Sequence, residues 1–271
     1  MHKNAWVTKD AGAGGAGFNA QWDAEFVHSV RRAVIARDDA SRDLGEVSRA
    51  IEHLYDSDAF KRVIYTESHD EVANGRERVP EDIWPGKVDS WFSRKRSTLG
   101  GALVLTSPGI PMIFEGQELL EDRWFQDKVP IDWSRAEDDK GILGMYRDLI
   151  ALRRNLPGVT RGLCGQNTHL YHFDEGARII AFHRWDKQGP KDSVVVVVNM
   201  MNQSRDGYAI GFPRAGLWKT RLNSDSNTYG RDFANHATFD VDAQAQGTAG
   251  LPCFGEIGIG LYTTVDFSQD K

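Results

Sequence analysis

The texture of the chain changes at Pro157-Gly158. Before it, helical and extended apolar runs alternate; after it, every apolar run is short, β-rich and bounded by Gly, Asn, Asp or Pro. That switch restricts the fold to an α/β part followed by an all-β part, because helix–strand alternation buries strands under crossover helices while short strands with tight turns pair antiparallel. From Asp23, Phe26, Val27, Val30, Val34 and Ile35 recur at helical spacing with Asp23 placed to cap. A second helix is expected over Glu46 to Tyr55 and a buried strand over Arg62-Val-Ile-Tyr-Thr66. Trp91 to Leu105 reads as a helix running through Gly100-Gly101 toward a strand at Ile110-Pro-Met-Ile-Phe114, and Gly141 to Asn155 as the last helix. Thr168 to Phe173, Arg178 to Trp185, Ser193 to Met200, Trp218 to Leu222 and Gly258 to Val265 then read as strands of an antiparallel sandwich. The expected units are residues 1–158 and 159–271.

A chain of 271 residues accommodates two domains. Its net charge of -6 and scattered Lys and Arg supply no footprint for nucleic acid, and Arg94-Lys95-Arg96 reads as a solvated helix face. The opening residues lack the apolar core of a signal peptide, and no run approaches the roughly 20 apolar residues of a membrane span; a soluble, cytoplasmic chain is the expectation. Cys164 and Cys253 read as buried free thiols, and His28, His53, His169, His172, His183 and His236 show no metal-ligand spacing, so no metal and no cofactor is expected. Gly12-Ala-Gly-Gly-Ala-Gly17 satisfies Gly-x-Gly-x-x-Gly but lacks the strand before it and the helix opening inside it that a dinucleotide site requires, which leaves a loop.

The residues that carry chemistry end an apolar strand: Val63-Ile-Tyr-Thr-Glu-Ser-His-Asp-Glu71. Polar side chains at the C-terminal ends of parallel strands stand at the rim where α/β-barrel enzymes work. Taken alone, a His-Asp pair there is more often a local cap or a structural hydrogen bond. Two further stretches change that reading: Ser107-Pro-Gly-Ile-Pro-Met-Ile-Phe-Glu-Gly-Gln-Glu118 and Gly14-Gly-Ala-Gly-Phe-Asn-Ala-Gln-Trp-Asp23. Together the three resemble glycoside hydrolase family 13, the α-amylase family, in which the seventh barrel strand ends in His-Asp, the eighth carries Pro-Gly-x-Pro with a Gly-x-Glu ending, and the sixth is often written Gly-Phe-Asp-x-x-Trp. Asn19 stands here in place of that Asp. The wording is most similar to branching-enzyme and trehalohydrolase members, and the resemblance covers about residues 3 to 158.

The resemblance implies barrel strands six to eight of a partial TIM barrel, followed by a terminal β-sandwich, in an α-glucan-active retaining hydrolase or transglycosylase of amylase or 1,4-α-glucan branching type. By the same implication Asp70 is the third catalytic carboxylate, gripping sugar hydroxyls as the ring flattens, and His69 hydrogen-bonds the same sugar. Glu118 and Trp124 are further substrate-binding candidates, Trp124 foremost among Trp84, Trp91, Trp124 and Trp133, although core packing is the ordinary role of tryptophan. Retaining glycoside cleavage needs a nucleophile and an acid about 5 to 5.5 Å apart. In the family these are an Asp ending strand four and a Glu ending strand five; His2 to Asp10 resembles the segment just after that Glu, so the chain is expected to lack both and to be inactive alone. Glu67, Glu71, Glu115 and Glu118 are poor replacements by position. Three strands cannot close an eight-stranded barrel, so an upstream barrel half or self-association is expected to cover the open edges. The rival reading is a non-catalytic carbohydrate-binding or structural module.

Overall fold

The computed structural model describes residues 5–187, 192–247 and 250–270, so the first four residues of the opening stretch lie outside it. Its first part alternates strand and helix: β1 (Gln21–Trp22), α1 (Ala24–Ile35), α2 (Leu44–Glu52), β2 (Arg62–Ile64), α3 (Val79–Ile83), α4 (Trp91–Thr106) and β3 (Ile110–Pro111). The three strands lie side by side in chain order, and both pairings are parallel. They are shorter than the apolar runs suggest, since the β3 ladder stops at Pro111, and α2 starts two residues earlier and ends at Glu52. Asp23 caps α1 as its position predicts, accepting from the amides of Glu25 and Phe26.

Side-chain alternation divides the small sheet into two faces. Arg62 and Ile64 turn toward the helices and are buried. Trp22, Val63 and Ile110 stand in one register row on the other face, where Trp22 is 40% and Ile110 39% exposed. Arg62 ties this layer together: its guanidinium pairs with Asp23 at 3.1 Å, both side chains fully buried, and donates to the carbonyls of Ala50, Ile51 and Pro108. These bonds, all from its two Nη groups, join the end of β1, α2 and the approach to β3.

The second glycine of the helical pair Gly100-Gly101 is explained by a crossing. α5 (Arg135–Asp138) leads into α6 (Lys140–Arg153), and Tyr146 of α6 lies so close to α4 that a Cβ on Gly101 would sit 2.4 Å from its phenol oxygen. The roughly 1 kcal/mol helix penalty of glycine is outweighed by that approach.

The second part contains β4 (Asn167–Asp174), β5 (Ile179–Trp185), β6 (Val194–Asn199), β7 (Arg205–Phe212), β8 (Gly216–Asn223), β9 (Val241–Ala243), β10 (Cys253–Ile259) and β11 (Thr263–Ser268). Six form one antiparallel sheet in the order β4-β5-β6-β11-β8-β9, and β10 pairs with β7 in a second. The large sheet is covered on both sides: Ile180, Phe182, Val194, Val196 and Val198 join one hydrophobic core with Leu103, Met145 and Leu149 of the helices, while Ala181, Val195, Val197 and Phe267 pack against Ile210, Phe212 and Ile257 of the small sheet. That explains the unbroken valine run of β6, buried along its whole length.

Three sequence expectations need correction. Gly258 to Val265 is not one strand: it takes in the end of β10, a turn at residues 260–262 with Tyr262 at φ +44°, and the start of β11. Cys253 is buried and free, whereas Cys164 is free and half-buried, its thiol donating to the Arg153 carbonyl at 3.1 Å. Arg94-Lys95-Arg96 is not a solvated face. Lys95 and Arg96 are buried, Lys95 forms a fully buried ion pair with Asp225 at 2.8 Å, and Arg94 pairs with Asp232. The β part covers this side of α4, a fact that local charge pattern cannot convey.

Candidate active site at the strand ends

Beyond β2 the backbone runs through four buried residues, Tyr65 to Ser68, and then emerges: His69 and Asp70 form a turn whose side chains are 55% and 68% exposed. His69 Nε2 lies 3.3 Å from Asp70 Oδ1. Arg76 Nη1 donates to the Asp70 carbonyl at 2.9 Å, holding the turn from its far side. Trp22, at the end of β1, meets the His69 ring edge-on at 5.4 Å and the Tyr65 ring at the same distance. An aromatic from one strand thus orients the imidazole from the next. Burial foremost, then the negative charges of Glu71 and Asp70, holds the Tyr65 phenol well above its usual range, so it is a neutral hydrogen-bonding group at any working pH.

The carboxylates around Asp70 separate by partner. Glu67 is buried and turned aside: it accepts from Arg78 Nη1 at 3.0 Å and from the Val79 amide at 2.7 Å. Glu71 faces His28 at 4.0 Å. Asp70 keeps an exposed side chain, as a group that grips a ligand requires.

The segment after β3 closes the other side of the mouth. Gln117 Nε2 donates to Thr66 Oγ1 at 2.8 Å, and the 3-10 turn Gln117–Leu119 half-buries Glu118, leaving its Oε2 without a hydrogen-bond partner among the described residues. Trp124 is partly exposed, as are Trp84 and Trp133, while Trp91 is half-buried. Phe125 donates its amide to the Val72 carbonyl at 2.6 Å and bridges Ala73, which joins this segment to the His69-Asp70 loop. Sequence reasoning overlooked Trp22 and Arg78. For Trp22 the signal was present: it ends a strand next to the strand that carries the His-Asp pair. Arg78 carries none, because its partners lie far along the chain. Among the described residues no His/Cys/Asp/Glu group could hold a metal, and no helix is long and apolar enough to cross a membrane.

Parallel strands whose C-terminal ends present aromatic, imidazole and carboxylate groups, followed by an antiparallel all-β module, make up an α/β part with a β-part after it. Residues 171–259 match the family model described as the α-amylase C-terminal all-beta domain. The chain is 29% identical over 253 residues to the 1,4-alpha-glucan branching enzyme of Rhodospirillum rubrum, covering 88% of this chain and 32% of the relative. It is 30% identical over 234 residues to a branching enzyme of Xanthomonas oryzae pv. oryzae, covering 83% and 31%. The chain therefore spans about a third of the length of the branching enzymes it matches. Among solved structures it superposes on pullulanase complexed with maltotetraose from Anoxybacillus sp. LM18-11 with a TM-score of 0.63 at 20% identity, over 93% of this chain and 35% of that one. Alpha-amylase from H. orenii gives 0.57 at 16% identity, over 94% and 49%. Residues 171–259 thus belong with the α-amylase C-terminal all-beta domain, and the chain as a whole is similar to the C-terminal portion of the α-amylase family, glycoside hydrolase family 13.

Proposed function

We propose that residues 1–158 supply strands six to eight of a (β/α)8 barrel acting on α-glucans by a retaining mechanism, as hydrolase or branching transglycosylase, and that residues 159–271 are its terminal β-domain. The observation that carries this is the in-register parallel trio β1-β2-β3 with Trp22, His69 and Asp70 at one exposed mouth. The names of the relatives, 1,4-alpha-glucan branching enzymes, support the substrate class. In this reading Asp70 accepts hydrogen bonds from sugar hydroxyls, and these bonds strengthen as the ring flattens toward an oxocarbenium ion. His69 donates to the same sugar, with Trp22 fixing its ring plane. Glu118 and Trp124 bind substrate further along. The nucleophile and the general acid come from segments equivalent to strands four and five. Bonds that favour the transition state lower a barrier only where something attacks the glycosidic carbon, so the 271-residue chain by itself is inactive.

The test is glycogen turnover by the purified chain, alone and mixed with the strand-one-to-five half of a branching enzyme. The chain alone is expected to match a His69→Ala/Asp70→Ala control, and the mixture to gain activity that the double variant does not. Turnover by the chain alone above that control would show that its site is complete. Retardation in a glycogen gel with no activity in either arm would favour a non-catalytic carbohydrate-binding module.

The same reading assigns a partner to the row Trp22, Val63 and Ile110, whose two outer members are exposed, and to the outer edges of β1 and β3, which no described strand covers. A barrel half, or a second copy in its absence, covers them. Sedimentation velocity is expected to show association of the isolated chain that the barrel half suppresses; a monomer at high concentration contradicts it.

A further inference from the structure

The loop that carries His69 and Asp70 leaves the interior at Ser68 and returns to it at Arg78, and little of its own packing fixes its shape. Val72 is buried, Asn74 to Glu77 are exposed, and Asn74 and Gly75 turn the tip with backbone in the left-handed region. Its internal bonds are local: the Glu71 and Val72 amides donate to the Ser68 carbonyl at 3.0 Å each, and the Arg76 amide to the Ala73 carbonyl at 3.1 Å. A loop with so few contacts of its own opens readily unless its ends are held.

One carboxylate holds both ends. Glu67 Oε1 accepts from the Val79 amide at 2.7 Å and Oε2 from Arg78 Nη1 at 3.0 Å, and both side chains are buried. Bonds between charged partners are roughly twice as strong as neutral ones, and a buried charge cannot release its partner without a substitute. Arg31 of α1 braces the same two ends through the backbone, donating to the Thr66 carbonyl at 3.2 Å and to the Glu77 carbonyl. Arg78 reaches further, to the segment after β3: it donates to the Glu115 carbonyl at 3.0 Å and the Arg123 carbonyl at 3.1 Å, and its guanidinium lies 4.8 Å from the Phe114 ring. The Phe125 amide, bonded to the Val72 carbonyl, closes the same joint further out. A single ion pair therefore fixes the His69-Asp70 turn to the interior and the two loops of the mouth to each other.

We propose that Glu67 and Arg78 are the positioning residues of this site: they touch no sugar, and they hold His69 and Asp70 opposite Glu118 across the mouth before a substrate arrives. The inference rests on the role proposed above for Asp70. Asp70, with its side chain 68% exposed, has no burial of its own to keep it in place. A displacement of about 1 Å in a group that acts on the transition state costs on the order of a hundredfold in rate.

The test removes both charges at once, since either change alone leaves an orphan charge in the interior. Glu67→Gln/Arg78→Met should melt close to the wild type, because the new amide oxygen can still accept from Val79. In hydrogen exchange of the purified chain, the Glu71, Val72, Arg76 and Phe125 amides of this variant should exchange roughly tenfold faster or more. Val197→Ala, a cavity in the core of the β-module, should lower the melting temperature and leave those amides at wild-type rates. Mixed with the barrel half, the double variant should lose kcat on glycogen roughly tenfold or more with KM nearly unchanged. Arg78→Lys, which keeps the pair with Glu67, should fall between the two in both exchange and kcat, and it carries the same readouts if the double variant does not fold. Wild-type exchange at these amides overturns the proposal, as does wild-type kcat despite faster exchange. Faster exchange with an inactive wild-type mixture discards the enzymatic reading and keeps the staple.

Discussion

Asp225→Ala should lower stability by about 3–5 kcal/mol, the cost of leaving a buried charge without its partner. Lys95 and Asp225 are both wholly shielded from solvent, and Nζ lies 2.8 Å from Oδ1. The ammonium has few other resources: Thr263 Oγ1 stands at 3.4 Å and the Phe233 ring centroid at 4.6 Å. Burial pushes the Lys95 amine down, with Asp225 opposing that drift, so the unpaired lysine of the variant must either shed its proton or draw in water. Asp225 Oδ2 also accepts from the His236 amide at 2.9 Å, a bond the variant loses. For a chain of this size the midpoint of thermal unfolding should fall by on the order of 10 °C. Removing both charges as Lys95→Met/Asp225→Leu should recover most of the loss, because no orphan charge remains. Near-wild-type stability in the single variant would mean that the pair is wetter than its burial indicates. The pair also bears on function, since α4 follows the His69-Asp70 loop and Asp225 follows β8: it sets the β-module against the helix behind the mouth.

That ion pair marks the limit of what could be read in advance. The α1 helix with its Asp23 cap, the β2 strand and the valine strand β6 are local patterns, and they stand where the pattern places them. Strands β7 and β10 escaped because Gly207, Gly211, Gly255 and Gly258 break their apolar alternation; pairing with each other supplies what propensity lacks. Arg94-Lys95-Arg96 misled for a different reason. A charge run shows nothing about an acid 130 positions away, and only the packing of the β-module on α4 makes it an internal clamp. At the site, His69 and Asp70 were legible as strand-end residues. Trp22 depends on a parallel register, and Arg78 on bonds that cross from one loop to the next.

Asp266→Asn should stabilise the protein increasingly as pH rises from about 4 to about 7 and by a constant amount above that. Asp266 lies on β11 between Val196 of β6 and Leu222 of β8, fully buried, with neither carboxyl oxygen hydrogen-bonded among the described residues. Burial pushes its pKa from 3.8 up to about 7, a rise that the Arg184 guanidinium only partly offsets. Between those values the unfolded chain has released the proton while the folded chain keeps it, so folding takes up a proton and stability falls with rising pH. Each tenfold change in proton affinity is about 1.4 kcal/mol; the full loss by pH 7 is on the order of 4 kcal/mol. Asparagine has no such proton to lose. Other groups move the opposite way: burial lowers His172, and it lowers His183 to about 4, so each favours the folded state as pH rises toward 6.5. The absolute pH profile therefore mixes signs, and the informative quantity is the difference between Asp266→Asn and wild type in urea unfolding at pH 5, 6, 7 and 8. The histidine contributions are common to both proteins and cancel. A difference that widens to pH 7 and then levels identifies Asp266 as a neutral acid in the interior; one that is constant from pH 5 upward would mean that the carboxyl ionises normally and finds a partner or water inside the sheet.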